Sequence, residues 1–119
     1  MTATTPRTRK AKGRVFQAAL AEHIREAYQC HVDDVKPVLM SGSGMDLQLS
    51  PAFRERFPYA VECKNQESLS IWQALKQAEA NAGGLIPVLA FKRARSPTYA
   101  VIPWDEFIAL TKCREWCRE

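Results

Sequence analysis

The sequence predicts an α/β protein, a mixed β-sheet flanked by helices, with elements in the order α-β-β-β-α-β-β-α. Three observations predict it. Phe16, Leu20, Ile24 and Tyr28 recur every four residues, which is the spacing of one helix face. Three short strand-like runs follow in succession, and consecutive strands pair antiparallel by short connections. A helical segment then separates the third run from the fourth, and a helical crossover implies parallel pairing.

The elements follow in chain order. Residues 1–12 are rich in Thr, Arg and Lys and are expected to form a flexible basic arm, with a single domain over 13–119. The first helix is expected from Gly13 to Tyr28, and a strand from Val35 to Met40. Ser41-Gly42-Ser43-Gly44 is a turn, since two glycines in four residues permit a tight backbone. Met45–Leu49 and Tyr59–Lys64 read as strands, with a polar loop or short helical turn between Pro51 and Pro58. Ser70 and Gln73 fit a capping box at the start of a second helix. Ile71, Leu75, Ala78 and Ala82 are its buried stripe, and Gly83-Gly84 ends it. Leu85–Phe91 is a strongly apolar strand, Lys92–Pro97 a basic turn, and Tyr99–Ile102 a returning strand. Asp105 is placed to cap a last helix.

Composition narrows the class. With 119 residues, 46% hydrophobic and 25% charged, the chain can fold around a single core. There is no apolar run of about 18 residues to span a membrane, and no apolar stretch follows the basic N-terminus as a secretory signal requires. Cys30, Cys63, Cys113 and Cys117 make no CxxC pair, and only His23 and His31 accompany them. A structural zinc site lacks its usual spacing, and reduced thiols in a cytoplasmic protein are expected. The net charge of +4 is unevenly placed. Arg7, Arg9, Lys10, Lys12 and Arg14 crowd the N-terminus without an acid, and Lys92, Arg93 and Arg95 form a second cluster. Either group suits a phosphate backbone, and either also suits a solvated surface.

The chemistry centres on Glu62 and Lys64. Strand side chains alternate, so these two share one face while Val61 and Cys63 share the other. On a surface strand such a pair is an ordinary solvated ion pair. On a central strand its charges need partners or a metal. If the second and third strands form a hairpin, Asp46 comes near Glu62. Asp46, Glu62 and the Cys63 backbone carbonyl would then offer hard oxygen ligands to Mg²⁺, which keeps several waters. Such a site acidifies water and neutralises phosphodiester charge, and Lys64 can stabilise the charge that develops in the reaction.

Gly44-Met45-Asp46 followed by Val61-Glu62-Cys63-Lys64 resembles the PD-(D/E)XK nuclease pattern, with Met45 where the family name has proline. The element order also resembles that superfamily's restriction-endonuclease-like core. Within it, the chain is most similar to small Holliday-junction resolvases of archaea and phages, over roughly residues 10 to 108. The residues carrying the likeness are Lys12-Gly13-Arg14 opening the first helix, Ser41 to Asp46, Glu62 to Asn65, and the helix from Trp72 to Asn81 with Gln77. The resemblance implies Asp46, Glu62, Lys64 and Gln77 as catalytic residues. It also implies Mg²⁺ (with Mn²⁺ as a substitute), a homodimer, and branched DNA as substrate in a bacterial or phage-infected cell. No membrane and no small-molecule cofactor are implied. Those resolvases carry a glutamate four residues after the Lys-Gly pair, where this chain has Gln17, which bears no formal charge. Asp34 or Asp33 is an alternative accessory acid, with turn capping as its competing role.

Arg9, Lys10, Lys12, Arg14, Ser41, Ser43, Lys92, Arg93 and Arg95 are the candidate nucleic-acid contacts. Trp72, Phe107, Leu110 and Trp116 are expected in packing or a dimer surface. Two other functions stay open: a nuclease of the same type acting on linear or other DNA in repair, restriction or phage DNA processing, and a non-catalytic DNA-binding module.

Overall fold

The structure, a computed structural model, describes residues 5–38 and 45–116. It is a mixed α/β fold with the order α1 (Pro6–Tyr28), β1 (Val35–Pro37), β2 (Leu47–Leu49), α2 (Pro51–Arg56), β3 (Tyr59–Asn65), α3 (Ile71–Ala80), β4 (Ile86–Lys92), β5 (Tyr99–Val101) and α4 (Trp104–Trp116). The Ser41–Gly44 turn, the Ser41 and Ser43 contacts and Cys117 lie outside the described residues. No described helix is long and apolar enough to cross a membrane.

Two boundaries differ from expectation for the same reason. The first helix starts at Pro6, so Arg7, Arg9, Lys10 and Lys12 are helical, and Gly13 sits inside the helix where its opening was expected. Thr5 caps the helix, its side chain accepting from the Thr8 N–H, and Pro6 supplies a preset φ at the first position. The segment after β2 likewise becomes α2. The Ser50 hydroxyl accepts from the Phe53 N–H at 3.2 Å and Pro51 opens the helix. The expected capping box at α3 does not form, because the Ser70 side chain makes no capping hydrogen bond. The last helix begins at Trp104, one residue before Asp105, which lies in its first turn with Glu106. There both acids complement the positive end of the helix dipole.

The sheet also differs. The strands form an antiparallel pair β1-β2 and a separate three-stranded sheet ordered β3-β4-β5. β3 and β4 are parallel through the α3 crossover, as predicted, and β4 and β5 are antiparallel. The expected hairpin of the second and third strands is absent. The six residues of α2 intervene, and β2 pairs back onto β1, Val35 opposite Leu49.

Alternation along β3 builds two layers. Val61 is buried with Phe16 and Ala21 of α1, Val35, Leu47, Leu49, Phe53 and Ala90, and Cys63 packs against that core. The predicted stripe of α1 therefore faces inward, with Leu20, Ile24 and Tyr28 packed on the same cluster. On the opposite face of the sheet α3 packs on β3 and β4, and Ala74, Ala78, Ala82, Ala60 and Leu89 are buried. Glu62 belongs to this second face by alternation. Tyr28, Phe53, Phe57 and Tyr59 form an aromatic chain beside the core, with neighbouring ring centroids 5.1–5.6 Å apart.

Candidate active site

β3 is an edge strand, so one side of its backbone is free of ladder partners. At Cys63 that side is occupied by Asp46: the Cys63 N–H donates to Asp46 Oδ2 at 2.7 Å. Asp46 is itself fixed by its backbone, whose carbonyl accepts from the Val38 N–H at 2.9 Å and so prolongs the β1-β2 ladder. The carboxylate thus reaches β3 from the end of a neighbouring two-stranded unit, by a side chain where a hairpin was expected. In a strand the N–H and C=O of one residue leave on the same edge. The Cys63 carbonyl therefore emerges on the Asp46 side.

Glu62 is only 2% exposed, and its Oε2 has no hydrogen-bond partner among the described residues. Burial pushes its carboxyl up to about 7, and the nearby Asp46 carboxylate pushes in the same direction. The Lys64 ammonium opposes the shift, with Nζ 3.9 Å from Glu62 Oε1, and so does a hydrogen bond from the Asn81 side chain. Protonated, Glu62 can donate to Asp46; ionised, the two carboxylates repel and call for a cation between them. The Cys63 thiol, turned toward the α1 core, is pushed up by burial and then by Asp46. Cys30 and Cys63 are thiols.

Among the described residues no group of three or more His, Cys, Asp and Glu side chains gathers in a metal-binding arrangement. The donor set is two carboxylates and a backbone carbonyl. That set fits Mg²⁺, which takes one or two carboxylates and fills its remaining positions with water and phosphate oxygens. The unpartnered Glu62 oxygen is the atom that such an ion would satisfy.

Next to the carboxylates a cleft of ≈ 440 Å³ is lined by Arg9, Lys12 and Gly13 of α1 and by Cys63 through Ser68. Extension of α1 to Pro6 is what brings Arg9 and Lys12 there, one turn apart on the helix face that ends in buried Phe16. Lys10 and Arg14 are exposed, rotated roughly 100° or more around the helix from Arg9. Gln17 is half-buried one turn after Gly13 and does not line the cleft. Lys92, Arg93 and Arg95 line a second groove.

Two accessory candidates are placed elsewhere. Asp34 accepts from the Ser50 hydroxyl at 2.6 Å and from the His31 N–H at 3.1 Å. It sits at the Leu49 end of the β1-β2 pair, about 13 Å along the strand from Val38, and serves as a turn cap. Asp33 pairs with Lys36 at 3.0 Å, which holds its carboxyl below its usual range. Gln77 is exposed on α3, and the amide that reaches Glu62 is Asn81, four residues on. In the sequence Asn81 marks only the end of the helix. The one signal for it was its i,i+4 spacing from Gln77, which puts both on one helix face.

Comparison with protein-family models, with curated proteins and with solved structures found no match.

Proposed function

We propose that this chain is a metal-dependent endodeoxyribonuclease of the PD-(D/E)XK type, acting on branched DNA, four-way junctions above all, as a homodimer. The observation that carries the reading is the meeting of Asp46, the Cys63 backbone and buried Glu62 at one strand edge, with Lys64 alongside. A divalent ion such as Mg²⁺ or Mn²⁺, when bound there, supplies Lewis acidity toward water and phosphate oxygen. Asp46 and Glu62 hold it and, in doing so, lose the repulsion that disfavours their joint ionisation. Lys64, 21% exposed at the mouth of the site, faces an incoming phosphodiester and stabilises the negative charge that grows on it. Arg9 and Lys12 hold the adjoining phosphate in the neighbouring cleft. The preference for branched DNA and the homodimer rest on the resemblance in motif and element order.

The test offers purified protein a four-way junction and a linear duplex of matching sequence, with Mg²⁺ and with EDTA. Mg²⁺-dependent cutting of the junction in preference to the duplex is expected. Equal cutting of both removes the branched-DNA reading, and no cutting of either removes the nuclease reading. Asp46→Asn and Lys64→Ala should each lower cleavage by at least about 100-fold while leaving most DNA binding. Full cutting by either variant means that the site is misassigned.

A further inference from the structure

Lys64 shares its row of the sheet with two aromatic rings. The register sets Lys64 opposite Phe91, and Phe91 opposite Tyr99. Residues paired across neighbouring strands project to the same face, and strands lie about 4.8 Å apart. Phe91 and Tyr99 therefore stand roughly 5 and 10 Å across the sheet from Lys64, on the face that carries Glu62. Their ring centroids are 6.1 Å apart with planes inclined at 33°, and Tyr99 is 57% exposed.

Phe91 and Tyr99 line a groove of ≈ 730 Å³ together with Lys92, Arg93 and Arg95. This groove and the Arg9–Lys12–Lys64 cleft meet at Gln66 and Glu67, which line both. The basic turn between β4 and β5 is held in place from within and from outside. Ser96 Oγ accepts from the Arg93 N–H at 3.0 Å, and Glu67 Oε1 accepts from the Ala94 N–H at 3.3 Å. Glu67, the acid of the groove, is thereby engaged with backbone. Arg95 has φ 63°, in the left-handed region where glycine sits without strain and a longer residue does not. The turn keeps a guanidinium at its tip in spite of that strain.

Open aromatic faces interleaved with cations suit an unpaired strand. Its bases stack on the rings while its phosphates meet the basic side chains. A continuous duplex hides its base faces within its own stack. We infer that the Phe91–Tyr99 pair is a stacking platform for an unpaired nucleotide beside the phosphodiester that Lys64 faces. The substrate is then branched DNA whose bases come unpaired next to the cut, as at the branch point of an opened four-way junction. The location of the cut rests on the nuclease reading; the binding of an unpaired strand does not.

The experiment measures anisotropy of a labelled oligo-dT strand and of a blunt duplex in EDTA, so that no cutting intervenes. Tyr99→Ala is expected to weaken oligo-dT binding about 5- to 100-fold, the range of losing one base stack, and duplex binding less than about 2-fold. Tyr99→Phe keeps the ring and should bind like the parent. Arg95→Gly, which also relieves the turn, should weaken oligo-dT binding severalfold. Equal losses on strand and duplex, or no loss with Tyr99→Ala, would overturn the inference, as would failure of the parent protein to bind oligo-dT. Tyr99-dependent binding by a protein that never cuts would sustain the platform and remove the nuclease.

Discussion

At Glu62 burial and the Asp46 carboxylate act together against ionisation, and the pH dependence of stability follows from that. The folded chain holds the Glu62 proton up to about pH 7, whereas its ordinary value is 4.5. Between those values the folded state binds more protons than the unfolded state, so stability from this group is present at low pH and is lost as pH rises. In EDTA the parent protein should lose roughly 1 kcal/mol per pH unit from this source between about pH 4.5 and 7, levelling off above. Glu62→Gln should remove that slope in denaturant titrations. A slope identical in parent and variant would contradict the assignment. Added Mg²⁺ should stabilise the parent more at pH 8 than at pH 5.5, because the ion displaces the proton. The meeting of Glu62 and Lys64 was legible from the alternation of strand side chains. The contribution of Asn81 was not, because which residue on a helix face reaches a strand depends on how the two elements cross.

The two helix starts at Thr5-Pro6 and Ser50-Pro51 show how much an element's ends depend on a cap followed by proline. Both signals stand in the sequence, and the first was outweighed by the basic composition around it. The Ser50 hydroxyl caps α2 and also donates to Asp34, so Ser50→Ala removes two bonds at once. A loss of about 1–2 kcal/mol is expected in denaturant unfolding; a change below about 0.5 kcal/mol would mean that neither bond matters. Gly13 gives the opposite sign. It lies within α1, and an added Cβ there would meet no atom within 4 Å. Gly13→Ala should therefore stabilise the chain by about 0.5–1 kcal/mol. If DNA passes through the adjoining cleft, the same variant should bind it less tightly, and unchanged affinity would place the DNA elsewhere.

Across the whole molecule, the pairing of strands is the part of the fold least legible in the sequence. The parallel β3-β4 pair followed from the crossover helix and the antiparallel β1-β2 pair from their adjacency in the chain, but the expected β2-β3 hairpin gave way to α2, whose Ser50-Pro51 start separates the two strands. Leu47 and Leu49 are buried in the core with Phe16 and Ala21, a long-range placement that short-range periodicity does not encode. The apolar residues of α4 were legible but their placement was not: Trp104, Phe107, Ile108 and Leu110 are exposed, as is Trp72 on α3. Asp105 and Lys112 lie two turns apart on α4, so a second copy packed antiparallel on this exposed helix would set each acid against the partner's lysine. For the proposed homodimer, sedimentation should show a dimer in the parent at micromolar concentration and a monomer in Ile108→Lys. A parent that stays monomeric counts against the dimer, and a dimeric variant places the interface off α4. The bond from the Cys63 N–H to Asp46 has a consequence apart from any reaction. An unguarded strand edge invites another chain to add to it, and here a carboxylate blocks the approach. Asparagine can still accept that bond but alanine cannot. Asp46→Ala should therefore yield a protein prone to self-association on storage or heating, while Asp46→Asn stays dispersed.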